Sequence, residues 1–397
     1  MSFIRVENLY KIFGPKATQA LEEVRGGIDK DTLFQKTRHV LGLNKINLEV
    51  RQGEFFVIMG LSGSGKSTLL RVLNRLVEPT AGRVLVADTE VTNLPRKELL
   101  RFRQDTFGMV FQHFALLPHY SILRNVTFPL ELKGVSRKER EEKGMIWLER
   151  VGLSGYEKHY PAQLSGGQKQ RVGLARALCA NPPVLLMDEA FSALDPLIRK
   201  EMQDELLRLQ HELKKTIVFV THDLDEAMRL GDRIAIMRDG EVVQVGTSEE
   251  ILARPADDYV AAFLSGVNPA KIYKVEELVQ EPVTVVLERE GLRAALRKMG
   301  QAGAVNAYVV NRSGFFQGMV RAEKLAEALK TEGEKSGLEG FLEPLPGLSP
   351  GQTLEEALPL FSETAVPLPV LDGQGRLLGV VTRGRLIAAM AGRYIPQ

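Results

Sequence analysis

Residues 60–68 read GLSGSGKST, and they leave the chain around them little freedom. The spacing of Gly60, Gly65, Lys66 and Ser67 fits G-x-x-x-x-G-K-[ST], a loop whose backbone N–H groups converge on phosphate oxygens. Such a loop works between a strand and a helix, because the helix start adds partial positive charge. The flanks comply. EFFVIMG (54–60) is a short apolar strand, and STLLRVLNRL (67–76) carries apolar residues at helical spacing. Gly60, Ser62, Gly63, Ser64, Gly65 and Thr68 are expected to line a bound nucleotide. Lys66 is expected to reach the β and γ phosphates, and Ser67 to ligate Mg2+.

The rest of the first 266 residues repeats the same alternation. VLLMDE (184–189) and TIVFVTHD (216–223) are apolar strands, and RVGLARALCA (171–180) and RKEMQDELLRLQHELKK (199–215) are helical between them. Apolar strands alternating with helices predict an α/β domain built on a mainly parallel sheet covered on both faces. RIAIMRDGEVVQVG (233–246) alternates around Asp239-Gly240 and predicts a β-hairpin. Residues 15–40 interrupt the first strand pair as a helical insertion with no evident chemical role.

Composition narrows the function classes. Of 397 residues, 44% are hydrophobic and 26% charged, and the net charge is +2, so no broad polyanion-binding face and no nucleic-acid partner are expected. The single cysteine, Cys179, permits no internal disulfide and points to a reducing compartment. MSFIRVENLYKIFG lacks a basic region followed by an apolar core, and no run of eighteen apolar residues occurs. Any membrane role is therefore expected to run through a partner.

Around the phosphate loop, four side chains stand where strands end. VLLM leaves Asp188 and Glu189 at the carboxyl end of its strand, where open α/β sheets bind ligands. Asp188 is expected to hold Mg2+ and Glu189 to act as general base on an attacking water. Gln112 follows the apolar GMVF (108–111) and is expected to touch Mg2+ or the water. His222 ends TIVFVT and is expected to donate to the γ-phosphate and orient Glu189 or the water. Lys66, Glu189 and His222 form the catalytic set. For stacking on adenine the sequence offers Phe13 or Tyr10, both in YKIFG.

With these residues assembled, the chain resembles the ATP-binding subunits of ABC transporters, a P-loop NTPase fold with a helical subdomain. The resemblance rests on GLSGSGKST, Gln112, LSGGQ (164–168), LLMDE, SALD (192–195) and His222 in that order. It is closer still to subunits of glycine betaine/proline betaine importers. YKIFG, a 25-residue insertion, FFVIMGLSGSGKSTLLRVLNRL, MDEAFSALDPLIRKEMQDEL and THDLDEAMRLGDRIAIM all match that pattern. The implied boundaries are an ATPase domain over 1–266, with the insertion at 15–40 and the helical subdomain at 111–180. The implied activity is ATP hydrolysis driving import of glycine betaine or a related quaternary amine, with another small solute as the alternative. Cofactors are ATP and Mg2+.

The resemblance also gives meaning to a second Ser-Gly-Gly turn, in QLSGGQKQR (163–171). Ser165 can cap a helix there, and the amides of Gly166 and Gly167 can face an anion, with Gln168 beside them. A head-to-tail homodimer would set Lys66 of one subunit across ATP from Ser165 of the other. Asp195 would lie at the same interface. Residues 111–134, carrying Phe114, Leu116, Leu117, His119 and Tyr120, would grip a membrane permease, which a substrate-binding protein or domain serves in turn. That places the chain at the cytoplasmic face of the inner or plasma membrane, as a peripheral subunit.

After residue 266 the pattern becomes a repeat of about sixty residues. Each copy orders an extended segment, a helix, two strands around a turn and a closing helix, over about 272–332 and 338–394, with GEKSG (333–337) between. This α+β repeat resembles a tandem CBS-domain pair. In that family G-h-h-[ST]-x-x-D supplies an Asp to ribose hydroxyls. Here the copies read GMVRAEK (318–324) and GVVTRGR (379–385), so Lys324 and Arg385 stand at the Asp positions. Thr382 matches and Arg321 does not. A cyclic dinucleotide, an anionic membrane, ionic strength, or dimer contacts alone remain as readings of the pair.

Overall fold

A computed structural model describes residues 2–266, 268–331 and 337–390. The chain divides into two compact units, Met1–Ser265 and Gly266–Gln397.

In the first unit, β1 (Ser2–Phe13) runs into an insertion of two helices, α1 (Ala17–Arg25) and α2 (Lys30–Thr37), and returns as β2 (Val40–Arg51). Then come β3 (Phe55–Met59), α3 (Lys66–Leu73), β4 (Ala81–Val86), β5 (Thr89–Glu90), α4 (Arg96–Thr106) and β6 (Phe107–Phe111). Three helices form the helical subdomain: α5 (Ile122–Leu132), α6 (Arg137–Arg150) and α7 (Gly166–Cys179). The unit continues with β7 (Val184–Asp188), α8 (Pro196–Leu213), β8 (Thr216–Thr221), α9 (Leu224–Leu230), β9 (Arg233–Arg238) and β10 (Glu241–Gly246). It closes with α10 (Ser248–Ala253) and α11 (Asp258–Leu264).

The main sheet has the order β10-β9-β3-β8-β7-β6. It is parallel from β9 to β6, and β10 closes it antiparallel around Asp239-Gly240, as the alternation predicts. Every residue of β3, β7 and β8 is buried. Their Val, Ile, Leu and Phe content suits strands packed on both faces. A second, antiparallel sheet, β2-β1-β4-β5, lies against the first through one core that includes Ile4, Val6, Leu48 and Val84 with Leu69 and Leu73 of α3.

The insertion is helical, as expected, and has its own small core. Ala20, Leu21, Val24 and Leu33 bury against Tyr10, Ile12 and Leu41. Asp29 caps α2 by accepting from the Thr32 N–H at 2.9 Å.

The second unit carries the repeat. The first copy has β11 (Thr284–Val286), α12 (Leu292–Gln301), β12 (Asn306–Val310), β13 (Phe316–Arg321) and α13 (Ala322–Thr331). The second has α14 (Leu354–Glu363), β14 (Leu368–Leu371), β15 (Leu377–Val381) and α15 (Arg383–Met390). The leading segment of the first copy pairs in parallel with β12. That of the second makes only a single bridge, Leu348 to Val370. Pro344, Pro346 and Pro350 explain the difference, since they remove donors and confine the segment to the sheet edge. Tyr273, Val275 and Leu278 fall inside the span expected for the first copy, yet with Ala270 they pack into the core of the second. Most of the expected GEKSG spacer, and residues 391–394 of the expected second copy, lie outside the described residues.

Candidate functional site

The phosphate loop leaves β3 at Met59 and enters α3 at Lys66. Gly65 has φ +102°, and a Cβ there would stand 2.5 Å from the Gly42 carbonyl oxygen, so no other residue fits. The β9–β10 turn clasps the loop from outside, with the Gly240 N–H donating to the Ser64 carbonyl at 3.0 Å. A cavity of about 260 Å3 opens beside it, lined by Phe13, Lys30, Val40, Leu41, Gly42, Ser62, Gly63, Gly65, Lys66, Ser67, Thr68 and Glu189.

Lys66 is buried, and its ammonium donates to the carbonyls of Gly60 at 2.9 Å and Leu61 at 3.0 Å. Burial pulls its pKa below the ordinary lysine range, while the Glu189 and Asp188 carboxylates oppose that shift. The Ser67 hydroxyl donates to Asp188 at 2.7 Å, so two of the three expected Mg2+ ligands already meet, while the third, Gln112, lies against Glu189. Asp188 is also paired with Arg71 at 3.0 Å. Arg71 was not singled out from the sequence. The signal was there in its spacing: four residues beyond Ser67 on α3, it falls on the same helix face.

Glu189 gathers the other two expected residues. Its carboxylate lies 3.4 Å from the Gln112 side-chain amide and 3.2 Å from His222 Nδ1. Its backbone is left-handed, at φ +46°, and its N–H donates to the Val220 carbonyl at 2.9 Å. The ends of β6, β7 and β8 thus deliver three side chains to one point.

The residue pair left open for stacking separates clearly. Tyr10 is 6% exposed inside the insertion core, whereas Phe13 is 40% exposed and lines the cavity beside Gly42.

The second glycine turn is built as its sequence suggests. Ser165 caps α7 and accepts from the Gln168 N–H at 3.3 Å, while the Gln168 side chain accepts from the Ser165 N–H at 3.0 Å. Asp195 caps α8 through the Ile198 N–H at 3.1 Å. None of Ser165, Gly166, Gly167, Gln168 and Asp195 lines the Lys66 cavity. Ser165, Gly166 and Asp195 are exposed, as are the apolar Leu61 and Leu197. A Cβ on Gly167 would collide with Ile198 of the same chain at 2.6 Å; one on Gly166 would meet nothing closer than 3.8 Å.

Between β6 and α5 lies a second cavity, of about 350 Å3, with an apolar lining that includes Phe107, Met109, Leu117, Phe128 and Leu132. Ala115 and Arg176 of α7 also line it; Phe114 and Ala115 are both left-handed, and Arg176 donates to both their carbonyls, at 2.9 and 2.6 Å. His119 is exposed, while Phe114, Leu116, Leu117 and Tyr120 are half-buried.

In the second unit the expected cations are engaged. Arg321 and Lys324 both pair with Glu343, at 3.0 and 2.8 Å. Arg385 donates to the carbonyls of Leu278 and Val279, each at 3.3 Å.

The residues at the first cavity fit Mg-ATP. Lys66, Ser67 and Thr68 line it, setting an ammonium and two hydroxyls beside the space phosphate oxygens would fill. Ser67 and Asp188 form a hard-oxygen pair suited to Mg2+.

Comparison with known proteins follows the same lines. The ABC transporter family matches residues 43–192, and the CBS domain family matches 275–331 and 342–392. The glycine betaine/carnitine transport ATP-binding protein GbuA of Listeria monocytogenes is 48% identical over 100% of this chain and 99% of its own length. The glycine betaine/proline betaine transport system ATP-binding protein ProV of Escherichia coli is 45% identical over 98% of this chain and 97% of its own. The trimethylamine N-oxide transport system ATP-binding protein TmoW of Pelagibacter ubique is 49% identical over 71% of this chain and 82% of its own. Among solved structures, the dimeric post-hydrolysis state of the ATP-binding cassette MJ0796 with ADP and Pi matches with TM-score 0.53 and 35% identity. It covers 62% of this chain and 98% of that one.

Proposed function

This chain belongs to the ABC transporter ATP-binding subunits of the glycine betaine group, and on that premise we propose that it hydrolyses ATP to drive import of a quaternary amine through a separate membrane permease. The observation that carries the proposal is the meeting of Gln112 and His222 on the Glu189 carboxylate, beside the Ser67–Asp188 pair.

Bound Mg-ATP supplies the transferable phosphoryl group and the metal charge that offsets it. Lys66 and the loop amides hold the phosphates, and Phe13 offers a face to the base. Glu189 accepts a proton from the attacking water. Gln112 and His222 fix that carboxylate and the water it holds. Positioning of this kind is what phosphoryl transfer asks of a protein.

Nucleotide enclosure requires a second copy. Ser165, Gly166 and Asp195 are exposed and do not line the Lys66 cavity; Leu197, two residues beyond Asp195, is an exposed leucine there, and Leu61 of the phosphate loop is another, both of which a partner subunit would cover. Gly166 has room for a side chain within its own chain, so the close approach that favours glycine comes from outside. The dimeric state of the MJ0796 cassette supports this reading.

The apolar cavity beside Gln112 suits a short helix of the permease, placing the chain at the inner face of the membrane through that partner. No helix among the described residues is long and apolar enough to cross a membrane. Full-length identity with betaine and carnitine subunits, C-terminal pair included, favours betaine over trimethylamine N-oxide, whose subunit matches 71% of the chain. The test is ATPase activity in vesicles carrying this chain with its permease and binding protein. Glycine betaine should stimulate it more than trimethylamine N-oxide; equal or reversed stimulation overturns the substrate assignment.

We assign the C-terminal pair a regulatory role. A phosphate-bearing ligand there must take Arg321 and Lys324 from Glu343. Titration of the Lys66→Ala full chain with cyclic di-AMP and AMP tests for a nucleotide ligand: heat with neither leaves an anionic membrane, ionic strength or dimer contacts.

A further inference from the structure

The insertion between β1 and β2 reaches the phosphate loop. Lys30, the first residue of α2, sends its ammonium to within 3.3 Å of the Gly63 carbonyl, and it lines the same cavity as Lys66, Ser67 and Thr68. Its side chain is 31% exposed, and the carboxylate it pairs with, Asp239, is 71% exposed at the limiting distance of 3.9 Å. A largely covered cation with so loose a counter-charge gains from an anion placed beside it.

The insertion is built to hold this cation in place. Leu33, fully buried, anchors α2 against β1, and His39 Nε2 lies 2.6 Å from the Pro15 carbonyl at the insertion's base. Asp29 fixes the first turn of α2, from which Lys30 projects.

We propose that α2 delivers Lys30 as a second cation to the triphosphate, on the flank of the phosphate loop across the cavity from Lys66. Lys30 is then a nucleotide-binding residue contributed by the insertion, and it gives that insertion a chemical task. The proposal rests on the Mg-ATP reading of the cavity. Lys30 leaves the Gly63 carbonyl, or shares its donors with it, to meet phosphate oxygen. An ammonium has three donors, so both contacts can coexist.

The test is calorimetric titration of Mg-ATP into the full chain in a Glu189→Gln background, which removes hydrolysis from the readout. Lys30→Gln should weaken binding about three- to fivefold, the worth of one partly exposed charge contact. It should also flatten the dependence of affinity on salt, because one cationic contact is lost. Lys30→Arg should stay within about twofold of the parent, since a cation remains. Unchanged affinity in Lys30→Gln overturns the proposal. So does an equal loss in both variants, which would mark Lys30 as a shape-specific staple on Gly63. A parent chain that takes up no Mg-ATP would instead defeat the nucleotide reading itself, a failure seen before either variant is compared.

Discussion

Glu189 occupies a backbone conformation that residues with a Cβ adopt only under constraint, at φ +46°. The constraint is visible: its N–H is tied to Val220, and its carboxylate is held between Gln112 and His222. Glu189→Gln keeps the shape and removes the base. Turnover should fall about 10²- to 10⁴-fold, while Mg-ATP binding persists; steady-state ATPase assays and calorimetry on the same protein check both halves. Cys179 lies at the opposite extreme of reactivity. Burial on α7 pushes its thiol up to about 12, with Lys143 opposing weakly. At pH 8 the folded chain should resist iodoacetamide and the urea-unfolded chain should react readily, which mass spectrometry would show. The linkage sign follows. The fold favours the protonated thiol, so this contribution is intact below about 8.5, the unfolded value, and is lost as pH rises towards about 12.

At the scale of elements, α7 joins two tasks. Its first turn presents Ser165, and its last turns carry Arg176 to the 114–115 carbonyls. Ser165→Ala should cost about 1 kcal/mol of helix-end stability. It should also abolish ATP-driven association, which a loss of capping alone would not do; analytical ultracentrifugation with Mg-ATP separates the two. Arg176→Met leaves two carbonyls without their donor and frees the turn that follows Gln112. Basal ATPase should change little, while betaine stimulation in vesicles falls about tenfold. Much of this architecture was legible from periodicity. β3, β7 and β8 are runs of apolar residues, and the 233–246 hairpin alternates around Asp239-Gly240. The caps on α7 and α8 could be read from Ser165 and Asp195, each set directly before its helix. Lys30 and Arg176 were not legible, and of Arg71 only the helix face was, not its carboxylate partner. Each acts through a carbonyl or carboxylate that is remote in sequence or a turn away, and no local pattern records which oxygen a long side chain will reach. Tyr10 and Phe13 show the same limit, because strand parity alone does not say which one an inserted helix pair will cover.

At the scale of the molecule, the first unit holds every residue of the proposed nucleotide chemistry. Its second glycine turn, at Ser165, is exposed and capped but does not line the Lys66 cavity, although both are proposed to meet phosphate. Two copies arranged head to tail resolve this, and ATP then becomes part of the interface. The most direct measurement uses two sets of chains, both Glu189→Gln and Cys179→Ser. One set carries a spin label at Leu76, exposed just beyond the end of the phosphate-loop helix, and the other at Ala162, just before Ser165. In the mixture, pulsed dipolar spectroscopy reads the distance between unlike chains. The account predicts a narrow, short-distance population that appears with Mg-ATP and not with AMP. A distance distribution that saturating Mg-ATP leaves unchanged would contradict it.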